Sequence, residues 1–261
     1  MHPLDIVDVV CLALIHGVAE VLPLDASGHA ALMAHLTGWK AASIIVSIQA
    51  GALLALLAWL WRDIKLIGQG LWKLFSKRRI EPGTVLLGKA LIASLPWMLA
   101  DGFLGQVPLG LAVVGLLTIL GALVMGVVDR LSMTVKRIEH LTALTSLAVG
   151  VIQLTAILPG VGRLAAALTV ARSTGMERPA AYRFILLATV PPLLVSLVRL
   201  WLGYALQGIG PASVDLLAFS LSLVLTLGGI LLAHSWLQRG SLMPFALYRL
   251  GLGGLLIWLS L

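Results

Sequence analysis

His16-Gly17-Val18-Ala19-Glu20-Val21-Leu22-Pro23-Leu24-Asp25-Ala26-Ser27-Gly28-His29 places two histidines, two acids and a hydroxyl in fourteen residues of an otherwise apolar chain. Ionisable groups at membrane depth are costly, and those that persist face a cavity and carry function. Pro23 and Gly28 interrupt the helix here. A broken helix survives in a bilayer only where protein or a wet cavity satisfies its freed backbone groups. His16 and Glu20 lie four apart, on one face of the helix before the break. The amides of Ser27, Gly28 and His29 open the next helix, and helix N-termini attract anions. Acid, imidazole, hydroxyl and anion-binding amides at one break predict a site for a phosphate.

The rest of the chain gives that break its setting. Its 261 residues are 60% hydrophobic and 11% charged, whereas soluble domains carry roughly a quarter charged residues. The composition predicts an all-α integral membrane protein forming a single membrane domain over residues 1–261. Cys11 is the sole cysteine, which excludes a disulfide framework and a thiolate metal cluster. The formal charge of +7 reads as topology-determining loop charge and not as a nucleic-acid surface. The N-terminus lacks a basic n-region and a small-residue cleavage site, so no removable signal peptide is expected.

Residues 6–22 and 27–38 are two short apolar pieces on either side of the Pro23 break, and are expected to form a re-entrant hairpin. Full spans are expected at 42–61, 84–104, 108–128, 181–203, 213–235 and 242–261. A second interrupted pair, 141–158 and 160–172, breaks at Pro159-Gly160-Val161-Gly162-Arg163. Of the 18 basic residues, 13 fall in 62–81, 129–140, 172–183 and 238–241. One topology puts all four loops on one side, and the inside-positive bias makes that side cytoplasmic. Within 62–81 an interfacial helix is expected around Leu66–Phe75.

The two broken pairs also resemble each other. Val21–Leu32 and Ile157–Leu168 align with five of twelve positions identical. The first hairpin is expected to open outward and the second inward, which makes 1–128 and 129–261 inverted repeats. In such folds the site lies where the discontinuous helices meet. Ser27 aligns with Arg163, so the second break brings a guanidinium to the acid and hydroxyl of the first, and its planar fork suits phosphate oxygens.

These stretches resemble the bacterial undecaprenyl pyrophosphate phosphatase family, which carries E-G-x-x-E-F-L-P-[VI]-S-S-T-G-H near its N-terminus and P-G-x-S-R-S-G-A-T in its second half. Ile48-Gln49-Ala50-Gly51, Leu187-Ala188-Thr189-Val190-Pro191 and Met243-Pro244-Phe245-Ala246-Leu247-Tyr248-Arg249 are similar to it too. The resemblance implies an inverted-repeat membrane fold with a polyprenyl phosphate or diphosphate ligand in cell-envelope lipid recycling. The departures are concentrated at the site. The family's first glutamate is His16 here, its serine pair is Asp25-Ala26, and its usual nucleophile position is Ala26. Both serines flanking the second-motif arginine are replaced, by Gly162 and Leu164. Glu20, Ser27, Gly28, His29 and Arg163 match.

With Ala26 at the usual nucleophile position, the resemblance implies feeble diphosphatase activity, and a hydrolase, a carrier and a binding protein without turnover or transport all stay open on these residues. In a hydrolase, Ser27 or Asp25 attacks, His29 serves as base or acid, Arg163 with Ser27, Gly28 and His29 holds phosphate, and His16 or Glu20 orients a water or a divalent cation. In a lipid-phosphate carrier or flippase, His16, Glu20 and Asp25 couple movement to protons. The donor types leave a metal site undecided, and a homo-oligomer is compatible with the chain. The structural alternatives are Glu20 as a mere partner of Arg163, His16 as a packing residue and Ser27 as a helix cap.

Overall fold

The computed structural model describes residues 6–37, 44–103, 107–208 and 213–261. Apart from one bridge between Lys136 and Met176, the regular structure among them is helical. The first limb is α1 (Ile6–Ala13), a π-helical stretch (Leu14–Val18) and the single turn α2 (Ala19–Val21). After the break come α3 (Ala26–Thr37), α4 (Ile45–Trp59), α5 (Trp61–Lys77), α6 (Pro82–Phe103) and α7 (Leu111–Leu131). The second half holds α8 (Ala143–Gln153) with a 3-10 extension (Leu154–Ile157), α9 (Arg163–Ser173), α10 (Arg178–Leu206), α11 (Ser213–Leu237) and α12 (Met243–Trp258).

Pro82, Pro179 and Pro244 stand at the starts of α6, α10 and α12, where a missing N–H costs nothing and the fixed φ favours the first turn. Pro96, Pro191 and Pro192 lie inside helices, as membrane helices tolerate when neighbours satisfy the freed carbonyls. Four helices are long and apolar enough to cross a membrane, within Pro82–Ala100, Leu111–Leu131, Arg178–Leu206 and Asp215–Leu237. The pair α4 and α5 passes the same test only as a bent unit, with 74° between its arms. Outward-facing Leu116, Leu120, Val124 and Val127 on α7, with Val198 and Trp201 on α10, leave large apolar side chains uncovered by protein. This is an integral membrane protein.

The segment expected as loop 62–81 is helical from Trp61 to Lys77, longer than the Leu66–Phe75 helix anticipated. Its basic residues alternate with apolar ones at helical spacing, and Trp72 and Phe75 are exposed on it. Such a helix, turned across the end of α4, suits a membrane interface. Gly70 and Gly83 let it lie against the start of α6, since a Cβ on Gly70 would stand 2.7 Å from the Thr84 nitrogen.

The four basic segments gather at one end of the molecule. Asp63 takes two hydrogen bonds from Arg183, at 2.9 and 2.6 Å. Asp129 accepts from Arg172 Nε (2.9 Å), Arg178 Nε (2.8 Å) and the Leu242 amide (2.9 Å). Glu177 N donates to the Lys136 carbonyl at 2.8 Å.

Both broken pairs pack into this frame. Val9 and Leu12 of α1 pack with Ile44, Ile48 and Ala218, at the starts of α4 and α11 and far from the basic loops. At the tip of the same broken pair the Val21 carbonyl accepts from Tyr182 Oη of α10 at 2.7 Å. The second hairpin begins and ends at the basic end, and its Ile157 carbonyl accepts from Val107 N beyond the far end of α6, at 3.1 Å. The main core surrounds α9 and the first half of α10, with Leu168, Tyr182, Phe184 and Leu186 all fully buried.

Candidate functional site

Both breaks fall where proline and glycine punctuate the sequence. Leu22 is extended, the conformation favoured before a proline. Asp25 takes φ 89°, in the left-handed region. Its carboxylate closes the start of α3, with Oδ1 accepting from Gly28 N (3.1 Å) and Ser27 Oγ (2.6 Å). Oδ2 accepts from Thr118 Oγ1 of α7 at 3.1 Å. Asp25 is 2% exposed. Gly28 is not at the break, as its sequence position suggested, but inside α3. Its lack of a side chain serves the carboxylate, because a Cβ there would come within 2.6 Å of Asp25 Oδ2.

In the second break Gly160 and Gly162 adopt φ 99° and 73°, a region that glycine enters without a Cβ penalty. The turn lets Gly160 N donate to Ser27 Oγ at 3.1 Å, so the two breaks touch. Arg249 of α12, fully buried, donates to the Gly160 and Val161 carbonyls at 2.9 and 2.8 Å. A Cβ on Gly162 would stand 3.3 Å from Asp25 Cα and 3.6 Å from Arg249 Nη1. The buried acid and the buried guanidinium are therefore packed on either side of one glycine.

Arg163 opens α9 from this turn. Its Nη1 donates to Thr189 Oγ1 of α10 (3.1 Å) and Gln153 Oε1 of α8 (3.4 Å), and its Nη2 meets Glu20 Oε2 at 3.2 Å. Gln153 is anchored in turn by donation to the Ala93 carbonyl at 3.0 Å. The guanidinium is thus aimed by neutral groups on one side and paired on the other with a carboxylate whose side chain is 42% exposed.

Two compartments open around this arginine. A small one of about 50 Å³ is lined by Glu20, Asp25, Ala26, Ser27, Trp97 and Arg163, among others. A larger one of about 250 Å³ has His16, Glu20, Gln49, Arg163, Thr189 and Ser196 along its polar wall, against apolar Ala52, Leu56, Pro192 and Leu193. Glu20, Trp97 and Arg163 line both, so the compartments adjoin. A polar pole with an apolar flank suits an amphiphile's head group.

The structure therefore brings His16, Glu20, Asp25, Ser27 and Arg163 together. It does not bring the His29 ring with them. His29 Nδ1 lies 2.6 Å from the Asp25 carbonyl and Nε2 lies 2.6 Å from Tyr248 Oη, the two rings stacked with centroids 5.6 Å apart. The carbonyl partner assigns the proton to Nδ1, which leaves Nε2 to accept from the tyrosine. The Gly28 amide is engaged by Asp25, and the His29 amide by the Asp25 carbonyl at 3.3 Å. Among the described residues no three His, Cys, Asp or Glu side chains gather to hold a metal ion. His16 and Glu20 are the donors left facing the larger compartment, and Glu20 is held by Arg163.

Gln49, Trp97, Gln153 and Thr189 carry no role in the sequence reading. Gln49 and Thr189 sit in segments similar to the family, and Gln153 is a lone amide in an apolar run. Trp97 gives no signal apart from its neighbour Pro96. Thr118 is a support that only packing identifies, while Tyr248 and Arg249 lie in the C-terminal segment similar to the family.

The family described as bacitracin resistance protein BacA matches residues 9–255. Among similar proteins, undecaprenyl-diphosphatase 1 of Rhodospirillum rubrum is 34% identical, over 98% of this chain and 95% of its own length. Undecaprenyl-diphosphatase 1 of Paramagnetospirillum magneticum is also 34% identical, over 94% of each chain. Undecaprenyl-diphosphatase of Thermosynechococcus vestitus is 29% identical over 95% of this chain and 93% of its own.

Proposed function

This chain belongs to the bacitracin resistance protein BacA family, and from that premise we propose that it hydrolyses a polyprenyl diphosphate carrier lipid to the monophosphate in cell-envelope lipid recycling. The names of its relatives specify undecaprenyl diphosphate. The observation that carries the reading is Arg163, fixed by Gln153 and Thr189 and facing Ser27 and Asp25 across one cavity. A guanidinium aimed in advance at the transferred phosphoryl stabilises its charge without reorganising at the moment of reaction. In this reading Arg163 binds phosphate, with Ser27 lining the same pocket, and the apolar wall of the larger compartment receives the first prenyl unit. Glu20 and His16 order the attacking or released groups. Among the described residues, the metal donors facing the larger compartment are His16 and an arginine-paired Glu20.

The architecture proposed with it is a pair of inverted repeats, 1–128 and 129–261, with two re-entrant hairpins and six spans formed by α4, α6, α7, α10, α11 and α12. Paired contacts support it. Ser94 of α6 donates to the Ala188 carbonyl of α10, and Ser222 of α11 donates to the Ile48 carbonyl of α4, each at 2.7 Å. Gly17 of the first hairpin lies against Ser222 and Thr226 of α11, as Gly150 of the second lies against Ala93 and Pro96 of α6. Gly115 of α7 and Gly253 of α12 face each other, the Cβ position of each 2.6 Å from the other's carbonyl. The basic end is cytoplasmic by the inside-positive bias, in the bacterial inner membrane.

A second reading, a carrier that moves the lipid phosphate across the bilayer, is favoured by one observation. His16 and Glu20 line the larger compartment beside two helix breaks that touch, and ionisable groups where broken helices meet are a feature of many secondary transporters. Phosphate release from a C55 polyprenyl diphosphate by the purified protein, with and without divalent ions, decides between them. Release supports the phosphatase. No release, with pH-dependent lipid-phosphate flux in vesicles, supports the carrier.

A further inference from the structure

We propose that Ser27 Oγ is the nucleophile and Asp25 its base, a pair displaced by one residue in each direction from Ala26, where the family carries its usual serine. The proposal rests on the phosphatase reading. Ser27 lines the small compartment with Arg163. Its hydroxyl donates to Asp25 Oδ1 at 2.6 Å and accepts from Gly160 N at 3.1 Å. Those two bonds take the proton and one lone pair, and the second lone pair is left for phosphorus.

The carboxylate is held to this task. Thr118 fixes Oδ2, the Gly28 amide fixes Oδ1, and at 2% exposure no bulk water competes for it. Capping α3 requires only the Gly28 bond. The Ser27 bond is additional. The charged groups around Asp25 are Arg249 behind it and Glu20 and Arg163 across the compartment.

Ser27 Oγ forms a bond to the terminal phosphorus while its proton passes to Asp25. The bond from that phosphorus to the bridging oxygen breaks, and the lipid monophosphate leaves with the electron pair. Water then attacks the phosphoserine, Oγ leaves and recovers its proton from Asp25, and inorganic phosphate departs with one water proton while the other goes to solvent. Arg163 holds the transferred phosphoryl throughout. A positioned base contributes typically a hundredfold or more.

The test measures kcat and KM for C55 diphosphate with purified wild type, Ser27→Ala, Ser27→Thr, Asp25→Asn and the Asp25→Asn/Ser27→Ala double variant. Thermal unfolding in detergent is followed in parallel. Expected are an active wild type, kcat about a hundredfold lower in both Ser27→Ala and Asp25→Asn, KM within about twofold, and partial rescue by Ser27→Thr. The double variant should be no slower than Ser27→Ala, because Asp25 acts through the Ser27 proton. An active wild type with Ser27→Ala undiminished overturns the pair and leaves the phosphatase reading standing. So does a double variant slowed by the product of the two single losses, which is the signature of a purely structural Asp25. A wild type that releases no phosphate overturns both.

Discussion

Two carboxylate–guanidinium clusters in this molecule use the same chemistry to opposite ends. At the basic end Asp129 is 3% exposed, and Arg172, Arg178 and the Leu242 amide between them occupy both its oxygens. At the helix breaks Glu20 meets Arg163 through one contact, and its side chain is 42% exposed. The first cluster is saturated and closed, and it ties together segments that begin or end four helices. The second keeps donors and acceptors facing a cavity. A buried charge that is fully partnered holds a fold together, whereas one left partly open to a cavity is available to a ligand.

The contrast fails if the two clusters respond alike to mutation. Asp129→Ala leaves Arg172 buried without its anion and should cost about 3–5 kcal/mol of stability. Thermal unfolding in detergent reads this, while kcat per folded molecule stays near wild type. Arg163→Ala should do the reverse, with turnover falling about a hundredfold to a thousandfold and little change in unfolding temperature. Arg163→Lys keeps the charge but loses the fork, so head-group affinity should still fall when measured by lipid-phosphate binding. Unchanged affinity in both arginine variants would remove Arg163 from the site.

Smaller effects sharpen the comparison. Glu20→Gln breaks a half-exposed pair and should shift stability by less than about 1 kcal/mol. It also releases Arg163 from an anion that competes with phosphate. Tighter lipid-phosphate binding together with slower turnover is therefore expected, and weaker binding would show that Glu20 itself supports the head group. The smallest effect is assigned to Tyr248→Phe, which removes the acceptor's partner at His29 Nε2. It should cost about 1 kcal/mol of stability and leave kcat within about twofold. A large loss of kcat would put His29 in the chemistry despite its turn away from both compartments.

Much of the site was legible because its punctuation is local. Pro23 and Pro159 forecast both breaks, and the alignment of Ser27 with Arg163 anticipated that a hydroxyl and a guanidinium would share one cavity. The anion-binding amides read differently in three dimensions. Gly28 and His29 do open α3 in the sense of donating at its first turn, yet the group they meet is Asp25 of the same turn. A sequence reading treats a helix N-terminus as vacant, because it cannot tell whether the chain supplies its own anion. The histidine of the Gly-His pair was legible as a reactive group and not as a neighbour of Tyr248, which lies 219 residues away.

What the sequence determined alone was everything set by composition and near neighbours. That covers the membrane as solvent, the helices, the proline and glycine breaks, and the amphipathic α5. Hydropathy and backbone preference act over a few residues, so they can be read along the chain. Only the tertiary structure decided which polar groups meet, since Ser27 and Gly160 are separated by 133 positions and Glu20 and Arg163 by 143. Those meetings depend on two helix breaks that touch, on glycines that let helices close to backbone contact, and on supports such as Thr118, Gln153 and Arg249. No short-range preference encodes them, because each is fixed by the packing of several helices at once.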